Sequence, residues 1–596
     1  MKSISYLIPL AVMLAPTDAI SQDFTPPKVT TNSPGGVSLS DGSFMMSDVD
    51  LSIGPLSFER FHIGGRRDPN SPPFGPRTTH NFSIYTAANS KRRCPSNGGS
   101  NSCVVNRRPI VHMGNSASGQ YSDVASTSYS QNLAFGNDDD SLKGSLSRIG
   151  NGVYNYLDQS GTRYEFGTIA PLGGPGNSFR IENITFADGR RQTFFYDSSS
   201  RLKLVTDSSG YALAFEYNAS NLISVACGYN TGVTFVSVNI GCSTAKLKSS
   251  YSYDNGHLSG VVNAAGESKS YTWSVDRITC VSTAKQACQI ANTYEDSHGS
   301  WMVSQQKMAD GAIWKYQYYG RYDGVRDPDI YADATATSTT DMTDPAGNVS
   351  RYNFMETSPV SIVDANSNET KYLFEGGKSY DSPAEYPTNF GSTLKSVTLP
   401  RGNKIAIEYS GPWRAVSKRV LTGTDGSTLT KSYGYDFSSN CSTSPQTCAK
   451  PIWEKDANSA QTDYTYTSFG SIDSELQPAP APGELRRLTK YTYVQKYAYV
   501  QSGAGGVVPA ASPIWMKDSE TVCQAERDSR PAKCDSKSPQ FTTKYEYGPD
   551  GVGGNLLVRG IAVTADGQTR RTCFGYDYAG NRVSETKPRA GLGGCL

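Results

Sequence analysis

The chain has 596 residues, with 56 basic against 55 acidic side chains and a formal net charge of +1. That balance lacks the concentrated positive charge of a nucleic-acid binder, and the length exceeds what one average domain fills. With 57 glycines, 32 prolines and 37 tyrosines, the composition disfavours long helices and suits pleated, half-buried strands, so the fold class reads as all-β.

In chain order, Lys2 and the apolar stretch Ile4 to Leu14 read as a secretory signal, broken by Pro16 and cleavable after Ala19-Ile20-Ser21. Residues 1–21 are therefore taken as a signal peptide, with Gln22 as the mature start and no lipid-anchoring cysteine there. No other uninterrupted apolar run reaches spanning length, so no transmembrane segment is expected after cleavage. Residues 22–36 have the Pro, Thr, Ser and Gly content of a linker. Residues 37–150 form a β-rich region with segments such as Asp50-Leu51-Ser52-Ile53 and loop-rich stretches between them. Its acidic run Asp138-Asp139-Asp140 lacks the spaced ligands of a calcium loop and reads as a solvated turn.

The 12 cysteines suit an oxidising compartment and fall into close neighbours separated by long gaps. The spacing groups Cys94 with Cys103, Cys227 with Cys242, Cys280 with Cys288, Cys441 with Cys448, Cys523 with Cys534, and Cys573 with Cys595. Six local bridges across loops or hairpins are the reading; spacing alone does not prove connectivity. A zinc site competes with it, against the lack of any C-x-x-C and the scatter of the 5 histidines.

From residue 151 to 596 one phrase recurs: a turn of Asp, small residues and Gly, then an alternating strand that carries Tyr or Phe and closes on Tyr-Asp. Asp188-Gly189 leads to Phe194-Phe195-Tyr196-Asp197, and Asp207-Ser208-Ser209-Gly210 to Phe215-Glu216-Tyr217-Asn218. Later copies include Tyr253-Asp254-Asn255-Gly256-His257-Leu258, Asp344-Pro345-Ala346-Gly347-Asn348 and Tyr576-Asp577-Tyr578-Ala579-Gly580-Asn581-Arg582-Val583. Asp bonds backbone groups ahead of it and Gly supplies the positive φ of a tight turn. Alternate tyrosines place rings on one face. A lone hairpin is marginal, so each must lean on the next in a continuous antiparallel sheet that curls as its strands twist.

These phrases resemble the Rhs/YD-repeat family, the shell-forming part of bacterial polymorphic toxins, related to animal teneurins. The Tyr253–Leu258 and Tyr576–Val583 copies carry the resemblance best. Gly42-Ser43-Phe44, Asp48-Val49-Asp50-Leu51, Gly54-Pro55-Leu56 and Glu59-Arg60 resemble the family's domain preceding the repeats. The resemblance implies hairpins coiled into a spiral β-shell that encloses or presents a toxin, or acts in cell-surface contact. The implied partners are an encapsulated toxin or C-terminal continuation, and cell-surface glycans or proteins. The implied location is secreted or at the cell surface, with the periplasm also open. The family's D-P-x-G-L-like self-cleavage motif is not found near Leu596; Asp344-Pro345-Ala346-Gly347 is followed by Asn348 and reads as an ordinary turn.

Motifs for catalysis are scarce: no G-x-S-x-G, H-E-x-x-H or phosphate-binding loop accompanies His62, His80, His112, His257 and His298. The chain is read as a non-enzyme with no cofactor and no metal. A glycan- or cell-binding adhesin is the alternative, a polysaccharide-active enzyme a remoter one. For the adhesin, Trp273, Trp301, Trp314, Trp413, Trp453 and Trp515 are the aromatic platforms to consider, with packing between hairpins as the plainer role. Pro478–Gly483 reads as a stiff linker and Gly503–Ala511 as a long hairpin tip or insertion.

Overall fold

A computed structural model describes residues 24–27, 31–64, 73–93, 104–114, 118–123, 132–137, 144–149, 153–167, 178–297, 300–320, 338–355, 358–374, 393–411, 414–437, 444–588 and 591–595. The signal-like segment, Asp138 to Asp140, Cys94, Cys103, Cys441, His298 and Trp413 lie outside these residues.

Strands and their turns dominate the described residues, and nearly all strands belong to one large, curled antiparallel sheet in which sequence neighbours pair. A small separate sheet precedes it, made of β1 (Met45–Ile53), β2 (Leu56–Ile63) and β3 (Thr78–His80) in that order. The large sheet begins with β4 (Tyr85–Arg93), inside the 37–150 region that composition groups together. β4 pairs with Val104–His112 on one side and with Ser178–Thr185 on the other, so the ladder returns on itself there. Pairing then runs onward to Arg582–Glu585, which among the described residues pairs on one side only; the sheet as a whole is not a closed barrel.

The recurrent phrase has a definite structure, seen at Asp344. Its Oδ1 accepts from the backbone N–H of Ala346 at 2.9 Å and of Asn348 at 2.8 Å, while Gly347 N–H donates to Asp344 O at 3.0 Å. Gly347 sits at φ 90°, the left-handed region that glycine enters without steric cost. The side chain and backbone of Asn348 hold the Asp344 carboxyl below the usual carboxylate range. Asp197, Asn218, Asn263, Asp364 and Asp456 make the same paired contacts.

At alternate hairpins, including those that turn at Asp197 and Asn218 but not those at Asn263, Asp344, Asp364 and Asp456, the register shifts by a β-bulge just before the turn. Phe195 faces Leu204 but Tyr196 faces Leu202, so Lys203 is the extra residue. Ser224, Ser259, Thr279, Ser304, Ser417, Asp473 and Asp518 are extra residues of later units, while Val360 and Val583 take that place beside Phe354 and Tyr576. A bulge increases local twist, so its repetition gives the sheet a regular curl.

The aromatic beside the bulge ties one unit to the previous one. Tyr217 donates its hydroxyl to Leu202 O at 2.7 Å, and Leu202 is the residue that faces Tyr196. Tyr253 donates to Ile223 O at 2.6 Å, and Ile223 faces Tyr217. The relay continues through Trp273 to Leu258 O, Tyr294 to Ile278 O and Tyr318 to Val303 O. Trp273 uses its indole N–H for the bond that tyrosine makes elsewhere. Towards the end of the chain Tyr435, Tyr493, Tyr547 and Tyr576 repeat it on Val416, Ile472, Lys517 and Val558.

Late strands come round beside early ones. Trp515 N–H donates to Asp188 O at 2.8 Å, and Gln501 N–H to Thr231 O at 2.7 Å. Asn230, 348 residues before Tyr578, bonds it through backbone and side chain. Disulfides join Cys227 to Cys242, Cys280 to Cys288, Cys523 to Cys534 and Cys573 to Cys595, closing segments of 15, 8, 11 and 22 residues. Cys448 is also disulfide-bonded. Pro478–Gly483 is the connection of a hairpin whose strands, Ile472–Leu476 and Arg487–Lys496, pair with each other.

Tyr217→Phe keeps the ring and removes only the hydroxyl that reaches Leu202. It should cost about 1 kcal/mol, the net worth of one hydrogen bond, read as a lowered urea midpoint; an unchanged midpoint would remove the relay from the account of stability.

Candidate functional site: the inner face and the segment it holds

The described part of residues 24–84 lies along one face of the large sheet, called here the inner face. Phe58 and Phe74 are fully buried in the main core with Leu39, Phe44, Leu51 and Ile53. Their partners are the first members of aromatic-x-aromatic pairs whose second members make the relay. Phe82 packs on Phe194, Phe58 on Phe215 with ring centroids 4.9 Å apart, and Phe74 on Tyr251 at 4.9 Å. Contacts then step along the sheet as the segment is traced back towards its N-terminal end. Val303 N–H donates to Gly42 O at 2.9 Å, Tyr316 to Ser33 Oγ at 2.9 Å, and Thr340 to Leu39 O at 2.6 Å. Arg419 reaches Thr25 Oγ1 at 3.2 Å. The segment, with its small sheet of β1 to β3, therefore touches many repeats, and each of these supplies part of its bed.

The centre of this contact is a buried charge cluster. β1 carries a bulge between Val49 and Leu51, which leaves Asp50 out of the ladder with β2. The carbonyl freed in this way accepts from Ser249 Oγ at 2.6 Å and from Ala264 N–H at 2.9 Å, both on the large sheet. The Asp50 carboxylate takes Arg60 Nε at 3.0 Å, Arg60 Nη2 at 3.1 Å and the Tyr251 hydroxyl at 3.0 Å. Arg60 also reaches Asp48 at 3.2 Å and lies over the Tyr271 ring at 5.5 Å; Lys269 pairs with Asp48 from the sheet. Arg60 and Asp50 side chains are each 2% exposed. Burial pushes the Asp50 carboxyl up against the pull of Arg60, and the same pair holds the Arg60 guanidinium charged. A buried pair of this kind stabilises little against an apolar replacement but is costly to break, so it fixes the register of segment on sheet.

His62 and His80 flank the cluster and are buried. His62 packs edge-on against Trp273 at 5.4 Å, and His80 lies among Phe58, Phe82 and Phe215. The His80 Nδ1 accepts from Phe82 N–H at 3.1 Å, a bond only the unprotonated nitrogen can make. Burial lowers both imidazoles to about 3, with Arg77 and Arg60 adding to the effect at His62. Asn81 accepts from Glu59 N–H and donates to Ser57 O inside the same fold.

The inner face also continues past Arg419, which contacts Thr25 of the segment. Cross-strand pairing carries it from Tyr372 through Ile405 and Arg419 to Tyr433, Tyr464, Tyr491 and Tyr545. Here the first members of the pairs are half-buried and interleaved with charge. Lys517 lies over the Tyr491 and Tyr545 rings at 4.4 and 5.3 Å and pairs with Glu520 at 2.7 Å. Tyr464 donates to Glu454 at 2.9 Å.

The tryptophans divide by surroundings. Trp273 and Trp314 pack against the core, Trp515 stacks on Phe469 at 4.6 Å, Trp453 lies beneath Lys455, and Trp301 is exposed with Arg277 over its ring. His257 bonds Asp276 at 3.1 Å beside Trp273. Among the described residues no group of three His, Cys, Asp or Glu side chains could hold a metal ion, and no helix is long and apolar enough to cross a membrane. The cluster at Asp50 and Arg60 was not singled out as a site by sequence. Its signal is the Asp-x-Asp of an otherwise apolar-alternating strand, followed across the Gly54-Pro55 turn by one arginine at a register position facing them.

No protein-family model matches the chain, and no curated protein matches it in sequence. Among solved structures it is similar to TcdB2-TccC3 without its hypervariable C-terminal region, at 10% identity and a TM-score of 0.28, over 85% of this chain and 28% of that one. It is similar to a Tc holotoxin pore of Photorhabdus luminescens at 12% identity and a TM-score of 0.31, over 92% and 28% respectively. The N-terminal domain of the effector protein SpvB from Salmonella typhimurium aligns at 10% identity and a TM-score of 0.19, over 44% of this chain and 97% of that one. The chain thus spans 28% of the length of each of the first two.

The histidines give this site a pH signature. Both are neutral when folded at about 3 and would titrate near 6.5 when unfolded, so their contribution is complete above 6.5 and is lost as pH falls towards 3. His62→Asn with His80→Asn should therefore lose about 2 kcal/mol less per histidine than the parent between pH 7 and pH 5, measured by urea unfolding; equal losses would show that the two side chains are not the acid-sensitive groups.

Proposed function

We propose that the chain is a non-catalytic wall protein: a curled sheet that holds extended polypeptide on its inner face, enclosing or presenting an effector. One observation carries this reading. The sheet already holds a polypeptide there, its own N-terminal segment, through aromatic pairs, carbonyl contacts and a charge cluster. The same pattern of rings and charges continues at Tyr433, Tyr464, Tyr491 and Tyr545. Aromatic rings bind apolar and cationic side chains without demanding one sequence, and lysines and glutamates add pairing sites for either charge.

The disulfides support work in an oxidising compartment, hence an exported or cell-surface protein, in keeping with the signal-like first 21 residues. The repeat phrases and the segment before them support the reading as an Rhs/YD-like shell. Within this reading the aspartates have a sufficient role as turn formers.

The test is to fuse an unstructured passenger of about 100 residues after Leu596 and follow its digestion by protease, whose rate tracks the accessible population. The fused passenger should survive about tenfold longer than the same sequence alone, and Tyr464→Ser with Tyr491→Ser should shorten that survival. Digestion at the rate of the unfused passenger would overturn the proposal.

A further inference from the structure

Three loops outside the repeat pattern meet at one place on the surface. The first follows Cys227 and is tied at its base by the Cys227–Cys242 bond. The second is the hairpin of Tyr499–Gln501 with Val507–Pro509, and the third spans 550–557. Gln501 bonds Thr231 O through its backbone and Gly232 O through its side chain at 3.1 Å. Buried Asn555 accepts from Tyr499 N–H at 3.2 Å and donates to Tyr497 O at 2.8 Å. Gly232 and Gly553 lie so close that a Cβ on either would meet the other's backbone. The three loops therefore form one braced platform.

Its surface is unlike the rest of the chain. Val233, Phe235, Val238, Tyr497, Val508 and Val552 are exposed by 59, 48, 45, 43, 43 and 53%. No Asp, Glu, Lys or Arg occurs in 217–245, 497–516 or 551–558, although such residues make up 19% of the sequence. Basic side chains flank this uncharged area. Lys203 bonds Asn239 at 2.8 Å, Lys248 bonds Ser243 O at 2.7 Å, and Lys246 lies over the Tyr578 ring at 4.8 Å. Arg559 follows the third loop and Lys496 precedes the second. The flanking carboxylates include Asp550, paired with Lys496 at 3.1 Å, Glu216, which accepts Cys242 N–H at 2.6 Å, and Asp577, next to Tyr578. Exposed valine and phenylalanine without charge, beside Lys203, Lys246 and Lys248, complement a surface that is apolar within and anionic at its rim.

We propose that this platform docks on an anionic phospholipid bilayer, the Val and Phe side chains entering the headgroup boundary and the lysines facing lipid phosphates. Interfacial binding of this kind scales with inserted apolar area and adds attraction to anionic lipid. The three loops carry these apolar residues at exposed positions, which suits a lipid surface.

The experiment is co-flotation of the full oxidised chain with vesicles of phosphatidylcholine, alone or with about one-quarter phosphatidylglycerol. The chain should float with the mixed vesicles and less with neutral ones or in raised salt. Val233→Ser with Phe235→Ser should weaken flotation about tenfold, and Val508→Ser with Val552→Ser, on the other two loops, provides an independent pair. Flotation with neither vesicle, or variants that float as well as the parent, would overturn the proposal. So would self-association in sedimentation velocity that the same variants abolish, which would make the platform a protein-docking surface.

Discussion

The bond from the hydroxyl of each relay tyrosine to the carbonyl opposite the preceding aromatic is the contact on which this architecture rests. Hydrogen bonds of a ladder join neighbouring strands only, and a single hairpin cannot bury enough surface to persist. The relay adds a side-chain link between successive hairpins, across neighbouring strands: Tyr217 to Leu202, Tyr253 to Ile223, Tyr318 to Val303. It also sets which face the ring takes, because the bulge beside it admits the extra residue that the turn requires. Turn, bulge and hydroxyl are one device repeated, and curl follows from the repetition.

That device gives the inner face two rows. Second members such as Tyr217 and Tyr253 face the sheet's own carbonyls, and first members such as Phe215 and Tyr251 face whatever lies above. In the first half of the sheet this is the N-terminal segment, pinned where the bulge at Asp50 turns both a carbonyl and a carboxylate towards Ser249 and Tyr251. Arg60 is buried between two aspartates, so the segment can sit in one register without stranding a charge. In the second half the row continues through Tyr464 and Tyr491, where lysine and glutamate replace the apolar neighbours.

Much of this was legible in the sequence, for identifiable reasons. The all-β class and the continuous curled sheet follow from turn residues and alternating tyrosines, which act locally. The turn at Asp344 could be placed because Asp, Gly and Asn have defined local roles. The bulges were not legible, since Lys203 between Leu202 and Leu204, or Ser224 between Ile223 and Val225, fits a regular alternating strand equally well. The relay was hidden for the same reason: its acceptors are backbone carbonyls, which no side chain announces. The cluster of Asp48, Asp50 and Arg60 joins residues of one hairpin to Tyr251 and Tyr271, about 200 positions away, and only the folded sheet brings them together.

Hydrogen–deuterium exchange on the intact oxidised chain tests most directly whether the N-terminal segment is part of the sheet's core or merely rests on it. If the segment is bound as described, amides of Leu51 to Phe58 exchange as slowly as those of the strand Leu247–Asp254 beneath them, in one cooperative unit. Exchange of the segment far faster than that strand would contradict the account.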